Sequence, residues 1–207
     1  MKNTLVLAVR ATAVTLVLTG LVYPLVVYGI AQAAFPRQAQ GSFVTDESGA
    51  VVGAELIGQS FADPAYVSGR PSAAGTARDG HDVEFVVSGG SNLGPASKKL
   101  RDDVAARVAA MTSGNPGAQG AVPAELVTTS ASGVDPHLSP ASVAWQVPRI
   151  AAARGVTAER VRSVIDPLVE GRTFGLLGEP RVNVLAANLA LDRVFGRPTA
   201  RASMPPK

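Results

Sequence analysis

The 207-residue chain contains no cysteine. Disulfides, a thiol nucleophile and any zinc site built on cysteine are therefore excluded by composition alone. Histidine is nearly as scarce: His81 and His137 are the only two, and they stand in no metal-ligand spacing. No block of like charge exceeds a few residues, so the footprint of a nucleic-acid binder is missing. The net charge of +3 belongs to Lys2, Arg10 and Arg37; from residue 38 onward 16 basic residues face 16 acidic ones. The chain also lacks an internal repeat and a G-x-S-x-G nucleophile elbow.

Charge is absent altogether between Ala11 and Pro36, where most positions are Ala, Val, Leu, Ile, Phe or Tyr. At 1.5 Å per residue this run crosses a hydrocarbon core roughly 30 Å thick. Ala31-Gln32-Ala33 offers the A-x-A pattern of a cleaved signal peptide, but the apolar run is longer than the usual signal core of about 7–15 residues. A retained membrane helix over 11–34 is the expectation. Pro24 should loosen it locally, and Thr12, Thr15, Thr19 and Gly20 provide small surface for helix–helix contact. Lys2 and Arg10 precede the span and only Arg37 follows closely, so the positive-inside rule keeps residues 1–10 cytoplasmic and exports the remainder.

Residues 38–207 suffice for one domain with its own core. FVTDESGAVVGAELIG (43–58) reads as a hairpin. Residues 62–97 are Gly-, Pro-, Ser- and Ala-rich without period, apart from one short strand within HDVEFVVSGG (81–90). Leu100, Val104, Val108 and Met111 mark a helical stripe over 98–111, and ELVTT (125–129) suggests a strand. Ser139-Pro140 is N-cap and first-turn chemistry for a helix to about Arg154, closed by Gly155 and carrying a kink at Pro148. Thr157 can cap a short helix through Val164. A last helix is expected over 181–195, with Val182, Leu185, Leu189 and Val194 near one face. The fold class that follows is α+β: one N-terminal transmembrane helix, then one exported soluble α+β domain.

Three motifs invite chemistry. GAELIGQS (53–60) has P-loop spacing, but Gln59 stands where the phosphate-binding lysine belongs. In VSGGS (87–91), Ser88, Gly89 and Gly90 form a Gly-rich loop whose amides could cradle an anion, with no Walker A partner in the chain. Ser132, Asp135 and His137 contain the residue types of a hydrolase triad, yet six consecutive positions on one Pro-containing loop are poorly placed to assemble it. The alternative for TTSASGVDPHLSP (128–140) is turn and cap chemistry, with Asp135 bonding its own downstream amides and the loop presented as a docking or lining surface.

Several blocks together resemble the C subunit of the bacterial Kdp potassium-transporting ATPase: SNLGP (91–95), VPAELVTTSASGVDPHLSP (122–140), QVPRIAAARG (146–155) and GRTFGLLGEPRVNVLAANLALD (171–192). The apolar N-terminus, LIGQSF (56–61) and GRPSA (69–73) fit the same pattern, while Ala131, Val134 and Leu138 depart mildly from it. The resemblance implies a non-catalytic subunit of a high-affinity potassium uptake complex. Its partners would be a channel-like potassium-translocating subunit and a P-type ATP-hydrolysing subunit, with ATP and potassium handled by them and no cofactor bound directly. A catalytic-chaperone role that raises ATP affinity is also implied; with an exported domain such an effect is indirect, through shared membrane helices. Docking or ion-lining positions under this resemblance are Asn92, Asp135, Pro136, His137, Ser139, Gln146, Glu179, Arg181 and Asn183. A membrane-tethered envelope hydrolase using Ser132, Asp135 and His137, and a stand-alone envelope binding protein, are the alternatives.

Overall fold

The computed structural model describes residues 2–46, 49–78 and 84–198. His81 and Asp82 lie outside the described residues, as do Glu47 and Ser48 of the expected hairpin turn. The chain divides into two compact units, Met1–Ala54 and Glu55–Lys207.

In the first unit, α1 (Lys2–Val17) and α2 (Tyr23–Ala34) join through a π-turn at Leu18–Val22 into one helix, Lys2–Ala34. Its 33 residues span roughly 50 Å at the α-helical rise, and none of them is buried. Pro24 explains the π-turn. Its nitrogen has no proton for the Gly20 carbonyl, and its ring crowds that carbonyl. The preceding turn widens, and the Tyr23 N–H donates five residues back to Leu18 O. The Thr19 hydroxyl meanwhile donates to Thr15 O at 2.8 Å. Thr12, Thr15, Thr19, Gly20 and Pro24 are all exposed on this helix. After the one-turn helix α3 (Pro36–Ala39), strands β1 (Phe43–Thr45) and β2 (Val51–Ala54) pair antiparallel with a register shift at Val44/Thr45.

The second unit opens with an irregular segment and a second hairpin, β3 (Gly75–Arg78) and β4 (Glu84–Val87). Helix α4 (Lys98–Gly114) starts where Ser97 accepts the Leu100 N–H. Its stripe is only partly covered: Leu100, Val104 and Met111 are half-buried and Val108 is exposed. The strand expected over 125–129 does not form; Ala124–Leu126 is a 3-10 turn instead. The reason is Glu125, whose carboxylate accepts from both the backbone N–H (2.9 Å) and the hydroxyl of Ser139, tying this segment to the start of a helix rather than to a sheet.

Strand β5 (His137–Leu138) runs into α5 (Pro140–Arg154), followed by α6 (Ala158–Ile165), β6 (Val169–Glu170), β7 (Arg181–Asn183) and α7 (Val184–Phe195). The strands form an antiparallel sheet in the order β5-β7-β6. Local signals set the helix ends. Ser139 accepts the Ser142 N–H, Thr157 accepts the Arg160 N–H, and Gly155 closes α5 at φ +65. Helix α5 runs through Pro148 as a single element.

The helix expected over 181–195 is shortened, because residues 181–183 are strand and Asn183 caps α7 by accepting the Ala186 N–H at 3.0 Å. Its buried residues are Val184, Leu185, Ala187, Asn188 and Leu191, so the expected Leu185 is buried while Val194 is exposed. Val184, Ala187 and Leu191 pack with Val143, Val147, Ile150, Val161, Ile165 and Val182 into one core.

The core also includes Val67, from a segment with no regular secondary structure. Side chains of α5 and α7 replace a neighbouring strand for it. Asn188 accepts the Val67 N–H (2.8 Å) and donates to Val67 O (2.9 Å). Gln146 does the same for Ser68, at 2.9 and 3.1 Å. Arg149 donates to Pro64 O and Tyr66 O, and Arg154 to Ala65 O. Burial pushes the Arg149 pKa down, and the carbonyls around it hold the charge.

The Tyr66 hydroxyl donates to Asp192 at 2.8 Å, and its pKa rises from 10.0 to about 12 through burial first and this bond second. A raised folded pKa contributes stability below the unfolded value and loses it as pH climbs through the folded one. Melting temperature is therefore expected to fall between pH 10 and 12. Tyr66→Phe should remove that part of the alkaline slope, and an identical slope in both proteins would show that Tyr66 does not titrate there.

Candidate functional site

The loop 128–140 is held from both sides by backbone contacts. The Ser130 N–H donates to Pro71 O (2.9 Å), Gly58 N–H to Val134 O (2.7 Å), and Gly89 N–H to Ser132 O (2.9 Å). Hydroxyls add to these: Ser72 donates to Gly133 O at 2.7 Å and Ser88 to Ser132 O at 2.8 Å. Pro136 O accepts the Val184 N–H, joining the loop to the start of α7.

The glycines nearby are sites of close approach. A Cβ on Gly58 would lie 2.5 Å from Asp135 O, and one on Gly90 3.0 Å from Ala131 O. Gly133 has φ +71, and its Cβ would lie 2.7 Å from both Ala74 Cβ and Gly89 O. The Ser88-Gly89-Gly90 run is thus a strap against residues 131–133. The Gly89 N–H, a candidate anion donor by sequence, is engaged with Ser132 O.

The polar side chains of the loop are turned on the loop itself. Asp135 Oδ1 accepts the His137 backbone N–H at 3.0 Å, the bond to a downstream amide that Asp-Pro suggested. Its Oδ2 meets Arg70 Nη1 at 3.2 Å, and Arg70 Nη2 reaches Thr129 O at 3.4 Å. The Ser132 hydroxyl accepts the Val134 N–H at 3.2 Å and lies 3.1 Å from the Ser130 hydroxyl. His137 is half-buried, with its backbone in register with Asn183 across β5 and β7. Ser132, Asp135 and His137 are neighbours in sequence, but the side chains of Asp135 and Ser132 bond to Arg70, Ser130 and backbone amides. Among the described residues no group of three His, Asp or Glu is arranged around a metal ion.

Beside the loop lies a cavity of about 380 Å³, walled by Gln59, Arg70, Ser72, Thr76, Val134 and Asp135 among others. Its two charges, Arg70 and Asp135, neutralise each other. Sequence reasoning missed Arg70, although the spacing of GRPSA from the hydroxyl loop gives no cue to their pairing across 65 positions.

The other expected surface positions separate into two groups. Asn92 (φ +53), Glu179 and Arg181 are exposed, and Ser139, Pro136 and Asp135 are half-buried. Gln146 and Asn183 are not surface residues: both are buried, Gln146 in the clamp on Ser68 and Asn183 through its cap and a 2.7 Å bond to Glu55 O. Neither side chain is available to a partner at the surface.

The architecture defines a class: one apolar helix long enough to cross a membrane, and a mixed α+β unit whose hydroxyl-rich loop is braced by its own side chains. Over residues 5–193 the chain matches the family described as K+-transporting ATPase, c chain. It is 58% identical to the potassium-transporting ATPase KdpC subunit of Myxococcus xanthus, over 95% of this chain and 90% of that one. It is 48% identical to the subunit of the same name in Rhodospirillum rubrum, over 94% and 98% of the two chains. For the Methylobacterium nodulans subunit the identity is 50%, over 95% and 98%. The chain belongs to the K+-transporting ATPase c-chain family.

Proposed function

We propose that this chain is a non-catalytic accessory and assembly subunit of an ATP-driven potassium uptake complex. Its partners in this reading are a channel-like potassium-translocating subunit and a P-type ATP-hydrolysing subunit. The observation that carries the reading is the state of the 128–140 loop. Asp135, Ser130 and Ser132 are spent on turns and on Arg70, which suits a rigid fitted surface and leaves an acid–base relay unassembled. Family membership supports the complex.

The helix Lys2–Ala34 anchors the chain, with the N-terminus cytoplasmic and residues 38–207 outside as one extracytoplasmic domain. ATP and potassium are then handled by the partners, and any influence on ATP affinity passes through packed membrane helices. Thr12, Thr15, Thr19 and Gly20 are the side of the anchor suited to that packing.

The test is one full-length chain, tagged and co-expressed with the other subunits, with a reporter active only outside the cytoplasm fused after Lys207. The reporter is expected to be active, and both partner subunits should co-purify in mild detergent. Potassium uptake at low external potassium should depend on the chain. A silent reporter with the chain in the membrane would reverse the orientation, and a chain that purifies alone would end the subunit reading.

A further inference from the structure

Between β6 and β7 the chain makes a finger. Phe174, Leu176 and Leu177 at its tip are 90%, 79% and 64% exposed, the most exposed apolar cluster among the described residues of the second unit. The tip is locally rigid. Thr173 and Leu177 form a bridge, with the Thr173 N–H donating to Leu177 O at 2.9 Å, and Gly175 N–H donates to Arg172 O at 3.0 Å. Two ion pairs brace the neck: Arg172 with both Glu179 oxygens at 2.8 Å, and Arg181 with Glu170 at 3.0 Å. The base is fixed to the core by Val182, which is fully buried in the central strand of the sheet.

Phe174 has φ +54, a left-handed conformation that a bulky aromatic residue rarely adopts. Backbone strain of this kind persists where the surrounding structure imposes it, and it marks functional turns. Here it holds a phenyl ring outward in water.

We propose that this finger is an anchor that seats in a neutral, apolar cleft on the extracytoplasmic face of a partner subunit; this rests on the accessory-subunit reading above. Three features select that occupant. The three side chains offer on the order of 500 Å², short of the roughly 800 Å² per partner that a free-standing interface needs. An area that small holds only where the two proteins are already joined elsewhere, as the subunits of one membrane complex are. The neck arginines are both paired with glutamates, so the finger carries no excess of basic charge, and it has no Trp or Tyr. Segments that enter a lipid interface use both. A small cluster of large apolar side chains, exposed here and desolvated on seating in a pocket, is the anatomy of an interface anchor.

The test places a photo-crosslinking amino acid at Leu176 of the full-length chain, co-expressed in cells with the other subunits. Irradiation is expected to join the chain to one partner subunit, identified by mass. In parallel, a chain carrying Phe174→Ser, Leu176→Ser and Leu177→Ser should melt as the parent does, since the replaced side chains are in solvent. Its retention in the detergent-purified complex after dilution should fall by about tenfold or more. Crosslinks only to lipid, crosslinks only to a second copy, or full retention of the triple variant would each overturn the finger's role. If the unmodified chain fails to co-purify with any subunit, the accessory-subunit reading itself has failed; if it co-purifies and Leu176 crosslinks to nothing, only the finger has.

Discussion

Asn188→Leu is expected to lower the melting temperature of the full-length protein by roughly 4–24 °C. Asn188 is 1% exposed, and it satisfies both the N–H and the C=O of Val67, which is itself fully buried. Leucine keeps the volume and removes both bonds. Each buried backbone group left without a partner costs about 1–3 kcal/mol, so the pair costs roughly 2–6 kcal/mol. For a chain of this length each kcal/mol shifts the melting temperature by about 2–4 °C. Gln146→Met removes the equivalent pair from Ser68 and takes an acceptor from Arg149. The double variant should cost less than the two single changes added, because Val67 and Ser68 are adjacent and leave the core together. A shift in Asn188→Leu no larger than that of an exposed control such as Arg101→Ala would mean that the segment 64–68 is held by apolar packing alone.

The clamp reaches the loop. Two residues beyond Ser68, Arg70 meets Asp135, and Pro71 O accepts the Ser130 N–H. The hydroxyl loop therefore inherits its position from a buried asparagine and a buried glutamine on two helices. Neither was legible as such. Gln146 falls in a block that the family resemblance marks as a surface candidate, and an amide that pairs with backbone 78 positions away leaves no periodic trace. What could be read was local: the Ser139 and Thr157 caps, the Gly155 stop, the Asp135 turn and the uncharged N-terminal run each depend on residues within one turn of helix or chain.

Non-local competition explains the misreadings. ELVTT has strand propensity, but Glu125 finds a better partner in the N–H and hydroxyl of Ser139 at the head of α5. RVN continues a helical pattern into α7, but β5 and β6 are available on either side of it, and pairing both its edges outweighs three more helical residues. GTAR has no apolar alternation, and only its pairing with residues 84–87 makes it a strand. The tip Phe174-Gly175-Leu176-Leu177 is too short for a periodic pattern, and its place in solvent is visible only in the structure.

Gly133→Ala should damage the function of the complex far more than His137→Gln. At φ +71 an alanine is strained, and its methyl would sit 2.7 Å from both Ala74 Cβ and Gly89 O. One of these neighbours is backbone and the other is a Cβ fixed to backbone, so neither can rotate away. Left-handed strain together with overpacking costs roughly 2–4 kcal/mol. The strap of residues 88–90 or the segment around Ala74 would have to separate from the loop. Potassium-stimulated ATPase activity of the purified complex, and the yield of that complex, are both expected to drop. His137→Gln keeps the β5 backbone pairing with Asn183 and removes only acid–base capacity. A catalytic histidine so replaced would lose roughly two to four orders of magnitude in rate, whereas a fitted loop should keep most of its activity. Collapse of activity in His137→Gln with the complex intact would show that the loop carries out chemistry, and full activity in Gly133→Ala would show that its shape is not what the partners read.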